Sequence, residues 1–439
     1  MKVLIIGGGG REHAVAWSLS RSPSPVDLIC APGNPGIAEL AQCRPVKATD
    51  VTGLVDLVEE TRPGLVVVGP EAPLVAGLAD ALEGKTKVFG PTAAGARLEG
   101  SKSFAKQLMA EKGIPTASAR SFSDPVAAIS YVHELGGRVA VKADGLAAGK
   151  GVTVCDDPAE AEAAIREAMI DGRFGEAGAT VLVEERLHGP ELSILAFCSG
   201  KTVLVMQAAQ DFKPVSEGNK GPNTGGMGSY SPVPIASEKI RRQAVEEILE
   251  PIAAAVEERS GGYVGVIYAG LMLTAQGLKV IEFNCRFGDP ETQALLPRLE
   301  SDLAEVMMAA VDGDLAGAKL RWSEHSCVCV VAASKGYPQD PDMRTGLAIS
   351  GLDTAAELKD VVVFHSGTGF SPQSPDTVVT AGGRVLSVSG LGPGVEEARN
   401  NAYRALNMIS FEGMHYRKDI AAGVASGTDV ASKTGEPIE

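Results

Sequence analysis

The first hundred residues restrict the fold more than any other part of the chain. Short β-branched runs alternate there with helical segments, and the loops that follow three of the strands are rich in glycine or proline. Strands are expected at Val3 to Ile6, Val26 to Ala31, Leu65 to Val68 and Lys87 to Phe89, with helices at Glu12 to Ser20, Val51 to Glu60 and near Leu74 to Leu82. This alternation predicts a parallel, helix-flanked sheet, because a parallel neighbour is reached only through a long crossover. Ligands of such sheets sit at the carboxyl ends of the strands. Those ends carry GGGGREH (Gly7 to His13), APGNPG (Ala31 to Gly36) and GPEAPL (Gly69 to Leu74), so one cleft is lined three times.

At 439 residues the chain has length for about two to four domains, each with its own core. The 52 glycines point to many backbone-lined loops, and the net charge of −15 with no long like-charge block makes nucleic acid and anionic membrane poor partners. The longest apolar run, about Cys327 to Ala333, is too short to cross a bilayer. With no secretory apolar segment behind Met1, a cytoplasmic address is expected. Seven scattered cysteines without a CxxC pair read as reduced thiols.

Beyond a helix from Ser101 to Lys112, ended by Gly113-Ile114-Pro115, a compact α+β unit is expected. It has helices at Asp124 to Leu135 and Pro158 to Met169, and strands at Arg138 to Ala143, Val152 to Cys155 and Thr180 to Glu185. Strands Glu191 to Cys198 and Lys201 to Met206 precede a long loop, Gln210 to Pro234. The helix Ser237 to Glu258 and strands Tyr263 to Leu273 and Lys279 to Phe283 follow. After about Trp322, short β-branched runs and a helix from Val395 to Met408 read as a small terminal α+β domain, and the residues from Gly423 onward as a tail.

Four segments carry chemistry. In KADGLAAGKG (Lys142 to Gly151), glycines between two strands let backbone N–H groups close over phosphate oxygens while Lys142 and Lys150 add charge; a plain glycine-rich hairpin is the alternative. The strand IEFNCRFGD (Ile281 to Asp289) places Glu282, Asn284 and Arg286 on one face, a carboxylate and an amide oxygen that suit Mg²⁺ beside a guanidinium that suits phosphate or carboxylate; a one-sided strand with a solvated polar face is the alternative. The loop KGPNTGGMG (Lys220 to Gly228) suits backbone donors around an anion or is a linker. The segment VEERLHGPELSI (Val183 to Ile194) breaks between two strands where an adenine edge could pair with backbone, or is a surface loop with three carboxylates. No GKS/T follows a glycine loop, no HxxxH or HxH appears, GxSxG is absent, and Glu12 stands where a dinucleotide fingerprint has its third glycine.

Taken together, GPEAPL, GPTAAGARLEGSK (Gly90 to Lys102), KADGLAAGKGV, GPNTGGMG, IEFNCRFGDPETQ and YRKDI (Tyr416 to Ile420) resemble the phosphoribosylamine-glycine ligase family of the ATP-grasp superfamily, in order and over about residues 1 to 422. The resemblance implies an α/β and α+β multidomain fold. Its parts are an N-terminal Rossmann-like parallel sheet (1–101), an ATP-grasp pair of α+β subdomains (102–325, with a mobile lid at about 120–187), a small C-terminal α+β domain (326–422) and a flexible tail (423–439). The implied reaction joins glycine to 5-phosphoribosylamine through a glycyl phosphate, ATP yielding ADP and phosphate, in the second step of purine synthesis.

By the same resemblance Lys102, Lys142, Gly149, Lys150 and Gly151 meet the nucleotide phosphates. Glu184, Glu185 and Leu187 form the adenine hinge, and Glu191 holds ribose. Glu282 and Asn284 bind Mg²⁺ or Mn²⁺, and Arg286, Lys142 and Asp211 take catalytic roles. Gly9, Gly10, Arg11 and Glu12 hold phosphoribosylamine, with Pro70, Glu71, Asn223, Gly225, Gly226, Asp289 and Pro290 completing the substrate sites and the GPNTGGMG backbone surrounding the acyl phosphate. A monomer acting on glycine, phosphoribosylamine and ATP is expected, without nucleic acid or membrane. The chain departs from the family pattern at Gly8, usually Asn, at Phe212 and Pro214, usually His and Arg, and at Ala421, usually Gly.

Overall fold

The computed structural model describes residues 1–147, 150–338, 340 and 343–426. The N-terminal sheet is parallel throughout, with strands β1 (Lys2–Gly7), β2 (Asp27–Pro32), β3 (Gln42–Cys43), β4 (Leu65–Val68) and β5 (Val88–Phe89) in the order β3-β2-β1-β4-β5. Val3, Leu4, Ile5 and Ile6 are fully buried, as a strand covered on both faces requires. Chain direction across the sheet reverses between β1 and β4, and the loops at Gly7 and Gly69 open side by side at that crevice. The single helix expected near Leu74 to Leu82 is two short ones, Glu71–Val75 and Leu78–Ala81, separated by Gly77 in the left-handed region.

A second sheet, β6 (Ala119–Phe122), β7 (Val139–Ala143), β8 (Val152–Val154) and β9 (Val181–Glu185), is antiparallel in the order β6-β9-β7-β8. With helices Pro125–Glu134 and Pro158–Met169 it encloses its own apolar cluster, which includes Val132, Val141, Ile165 and Val183. Strands β10 (Glu191–Ser199) and β11 (Thr202–Val205) follow. Four further strands, β12 (Gln210–Asp211), β13 (Pro214–Ser216), β14 (Lys220–Asn223) and β15 (Gly228–Ser231), occupy the stretch expected to be one long loop. Each is too short to show an alternating pattern, and three of the four contain glycine or proline. Strands β16 (Val264–Thr274) and β17 (Gly277–Asn284) then close an antiparallel sheet, β11-β10-β16-β17.

The C-terminal region contributes β18 (Ser326–Ala333), β19 (Val361–His365), β20 (Thr368–Ser371), β21 (Ser374–Thr380) and β22 (Arg384–Gly392), and the helix Val395–Leu406. Its main sheet runs β12-β15-β18-β22-β19, so two strands from the middle of the chain belong to the terminal sheet. Phe212 and Pro214 are held there by the late YRKDI segment. The buried Arg417 guanidinium lies 5.2 Å from the Phe212 ring centre, donates to the Pro214 carbonyl at 3.0 Å and pairs with Asp419 at 2.8 Å. Ala421 has φ +56°, a conformation that costs a non-glycine residue roughly 1 kcal/mol, so exchanging the usual glycine is not neutral. The expected tail begins with a short helix, Ala422–Ala425, and its residues 427–439 lie outside the described ones. All seven cysteines are free thiols, and among the described residues no helix is long and apolar enough to cross a membrane.

First and last sheets meet at two histidines. The His365 amide donates to Nδ1 of His13 at 2.8 Å, and the Asn34 side chain donates to the carbonyls of Gly8 and His365, both at 2.9 Å. Burial lowers His13 to about 3, with His365 adding to the effect, and burial lowers His365 to about 4. Both imidazoles are therefore neutral in the folded protein at pH 7. Their contribution to stability is whole above the ordinary histidine range and is lost as pH falls toward the folded values, at about 1.4 kcal/mol per pH unit for each group. In urea unfolding, His13→Gln is expected to remove roughly one such slope between pH 6.5 and 4. A slope unchanged from wild type would place His13 in water.

Candidate active site

The three sheets and the N-terminal crevice converge on one cleft of about 350 Å³. Its phosphate-side wall starts at Ser101, whose hydroxyl caps the helix Lys102–Lys112 by accepting the Phe104 amide at 3.2 Å. Asp144, just past β7, accepts the Ser103 amide at 2.7 Å and so ties the helix start to the strand that carries Lys142. Lys102 donates to the Gly145 carbonyl at 3.2 Å, and burial lowers its pKa. Lys142 donates to the Ile281 carbonyl at 3.0 Å and pairs with Glu184 at 2.9 Å. Gly151 lines the cleft, Lys150 reaches the Pro338 carbonyl at 3.2 Å, and Gly149 lies outside the described residues.

At the hinge, Glu184 is buried, with its carboxylate held by Lys142 and, at 3.3 Å, by Lys106. Its side chain is thus engaged by two lysines. Lys106, lowered to about 8 by burial, went unread in the sequence although it lies one helical turn after Lys102 on the same face. Glu185 pairs with Lys279 at 2.9 Å, Leu187 lines the wall near Met109 and Met272, and Glu191 pairs with Lys213 at 2.9 Å.

One face of β17 presents Glu282, Asn284 and, just beyond the strand, Arg286 to the cleft, as the alternation predicts. Burial raises the Glu282 pKa, but Lys213, Lys142, Lys102 and Arg286 outweigh it and leave the carboxyl below its ordinary value. Arg286 is the hub of a buried ion network, pairing with Glu99 at 2.9 Å and Glu71 at 3.2 Å. Glu99, which the sequence reading overlooked, is raised by burial, whereas Arg286 and Arg11 overcome burial at Glu71 and hold it at about 2. Asp211 is also buried; loss of water pushes its carboxyl well up, against the pull of Lys213. Beside it stand Tyr268 and Glu291, bonded to each other at 2.9 Å and absent from the sequence expectations.

The N-terminal loop faces this network. Arg11 pairs with Glu12 at 2.6 Å and Glu71 at 3.6 Å, and donates to the Phe287 carbonyl at 3.3 Å. Glu12 is 2% exposed and its other oxygen accepts the Gly9 amide at 2.6 Å, so this carboxylate shapes the loop from beneath instead of lining the cleft. Gly9 and Gly10 begin the helix Gly10–Ser20, and Pro70 begins the helix Glu71–Val75. Asp289 lines the cleft and accepts from Gln293 at 2.8 Å, while the Pro290 carbonyl accepts the Ser229 hydroxyl at 2.8 Å.

Besides Glu12, the expectation for the GPNTGGMG loop is corrected. The backbone donors of GPNTGGMG are not turned to an anion: the Thr224 amide donates to the Lys213 carbonyl (2.9 Å), Gly225 to the Tyr337 hydroxyl (3.1 Å), Gly226 to the Thr224 hydroxyl (2.9 Å) and Met227 to the Phe212 carbonyl (2.8 Å). A buried peptide takes the partner nearest to it. Asn223 and Gly225 still line the cleft, and Gly226 does not.

Three family models match most of the chain: Phosphoribosylglycinamide synthetase, N domain, over residues 1–99, its ATP-grasp (A) domain over 100–292 and its C domain over 327–423. A phosphoribosylamine-glycine ligase of Caldanaerobacter subterraneus is 46% identical over 424 residues, covering 96% of this chain and 100% of that one. The ligase of that name from Caulobacter vibrioides is 48% identical over 422 residues, covering 96% and 97%. The crystal structure of phosphoribosylamine-glycine ligase from Thermotoga maritima superposes with a TM-score of 0.81 at 30% identity, covering 96% and 100%. A biotin carboxylase domain from Hydrogenobacter thermophilus, in complex with MgADP, has a TM-score of 0.68 at 17% identity over 94% and 91%, and shares the fold alone. The chain belongs to the phosphoribosylamine-glycine ligase family of ATP-grasp enzymes, which uses ATP and a divalent cation to join glycine to 5-phosphoribosylamine in the second step of purine biosynthesis.

Proposed function

We propose that this cleft makes a glycyl phosphate and passes its acyl group to the amine of phosphoribosylamine. The observation that carries the reading is the polar face of β17, where Glu282, Asn284 and Arg286 share one wall with Lys102, Lys142 and Lys213 and no protein nucleophile is needed. Adenine packs among Met109, Leu187 and Met272 at the hinge, Glu191 reaches the ribose, and Lys102, Lys142 and the loop ending at Gly151 gather the phosphates, with the unit at about 120–187 acting as the lid.

Glu282 and Asn284 suit Mg²⁺ or Mn²⁺, being hard oxygen donors side by side with the carboxyl kept ionised. Among the described residues no group of three or more His, Cys, Asp or Glu side chains could hold a metal ion, so Glu282 and Asn284 would hold the cation together with the nucleotide. Held there, a divalent cation would supply charge stabilisation to the transferring phosphate. The glycine carboxylate attacks the γ-phosphorus and ADP leaves. Arg286, preorganised by Glu71 and Glu99, faces the charge on the acyl phosphate. Phosphoribosylamine, its phosphate held by the Gly9–Gly10 loop and Arg11, attacks the carbonyl carbon with its nitrogen, and the phosphate of the acyl phosphate departs. Asp211, with its raised pKa, takes the proton released by that nitrogen. Every residue named comes from one chain, so a monomer suffices, and free thiols with ATP suit the cytoplasm.

Glycine labelled with ¹⁸O in its carboxylate is expected to deliver one label to inorganic phosphate at each turnover that depends on phosphoribosylamine. Unlabelled phosphate at full turnover would eliminate the acyl phosphate.

A further inference from the structure

Resting on the reading above, we propose that Arg384, contributed by the C-terminal sheet, is a positioning residue for the acyl-phosphate half of the reaction, acting through Gly225 and Asp289. It lies outside every motif the sequence analysis singled out.

Arg384 opens β22 and its guanidinium enters the cleft wall. One nitrogen donates to the carbonyls of Gly225 and, at 2.7 Å, Asp289, and another pairs with the Asp289 carboxylate at 3.3 Å. A single planar fork thus joins the GPNTGGMG loop to the turn that follows Arg286, the two segments that flank the acyl phosphate in the proposed reaction. The same residue is gripped on its other side, since the Gly225 amide donates to the Tyr337 hydroxyl at 3.1 Å. A Cβ at residue 225 would stand 2.9 Å from the guanidinium carbon, so the contact depends on glycine there. With the loop's own amides spent inside the protein, its position is set by this clamp and not by an anion. Arg384 also offsets burial at Asp289, whose pKa lies below its ordinary value with help from Arg11 and Gln293. The ATP side of the cleft has its own anchors at Lys102, Lys142 and Glu184, none of which touches Arg384. Loss of the clamp is therefore confined to the acceptor side.

The test compares wild type, Arg384→Ala, Arg384→Lys and Tyr337→Phe in steady-state kinetics and in hydrogen exchange. Arg384→Ala is expected to lower kcat/KM for glycine and for phosphoribosylamine about a hundredfold, the scale of an ångström-sized misplacement, while the KM for ATP moves less than about twofold. Added guanidinium should restore part of the loss in Arg384→Ala and none in Arg384→Lys. Tyr337→Phe removes one hydroxyl and should shift the glycine parameters in the same direction by about fivefold. Amide exchange of the peptide 223–228 should quicken in both arginine variants, a readout that needs no turnover. If Arg384→Ala does not fold, Arg384→Lys and Tyr337→Phe carry the same comparison. Glycine parameters unchanged in folded variants, an equal loss of ATP affinity, or unaltered exchange of 223–228 would each overturn the proposal. A wild-type enzyme that turns over ATP without producing glycinamide ribonucleotide would instead overturn the functional reading, leaving the exchange result to decide the role of Arg384.

Discussion

Glu282→Ala is expected to lower turnover by at least about a thousandfold, the upper end of what loss of one preorganised electrostatic group costs. The side chain is 29% exposed and pairs only loosely, its nearest salt-bridge partner being Lys213 at 3.9 Å. Removing it leaves Lys213 its closer partner Glu191 at 2.9 Å. Stability should therefore change by no more than about 1 kcal/mol. Circular dichroism and a thermal midpoint measured beside the ADP-release rate separate the two effects. Near-normal turnover at ordinary Mg²⁺ would remove Glu282 from the cation site.

Arg286→Met should fail in both respects. Activity is lost because the cation facing the acyl phosphate is gone, and the fold loses about 3–5 kcal/mol because Glu71 and Glu99 are left as buried charges without their shared partner. Adding Glu99→Gln to Arg286→Met should recover part of the stability and none of the activity. Recovery of turnover in the double variant would show that Arg286 serves only the fold.

The contrast between these two arginine and glutamate sites explains how much was legible in the sequence. Residues on the exposed face of a strand announce themselves by alternation, so Glu282, Asn284 and Arg286 were readable, as was the parallel sheet from its fully apolar strands. Glu99 lies inside a quoted motif and Lys106 one turn after Lys102, but only the packed cleft gives them roles, and Arg384 arrives from a distant strand that no spacing connects with the motifs it serves. The segment from Gln210 to Pro234 misled for a related reason. Its strands are two to four residues long, and one of them, β15, draws its order from β18, which lies about a hundred positions later. Glu12 was readable as part of a motif, but only burial reveals that its oxygens are spent on Gly9 and Arg11.

That borrowed order also bears on how the chain must be made. During synthesis β15 leaves the ribosome with one side unpaired, because its partner β18 begins at Ser326 and β18 in turn needs β22, which begins at Arg384. The middle of the protein therefore cannot finish its sheet vectorially, and the nascent polypeptide carries an open strand edge until most of its length has emerged. A fragment ending near residue 325, at the seam that composition suggests, would carry every nucleotide-facing lysine and still lack the strand that β15 leans on.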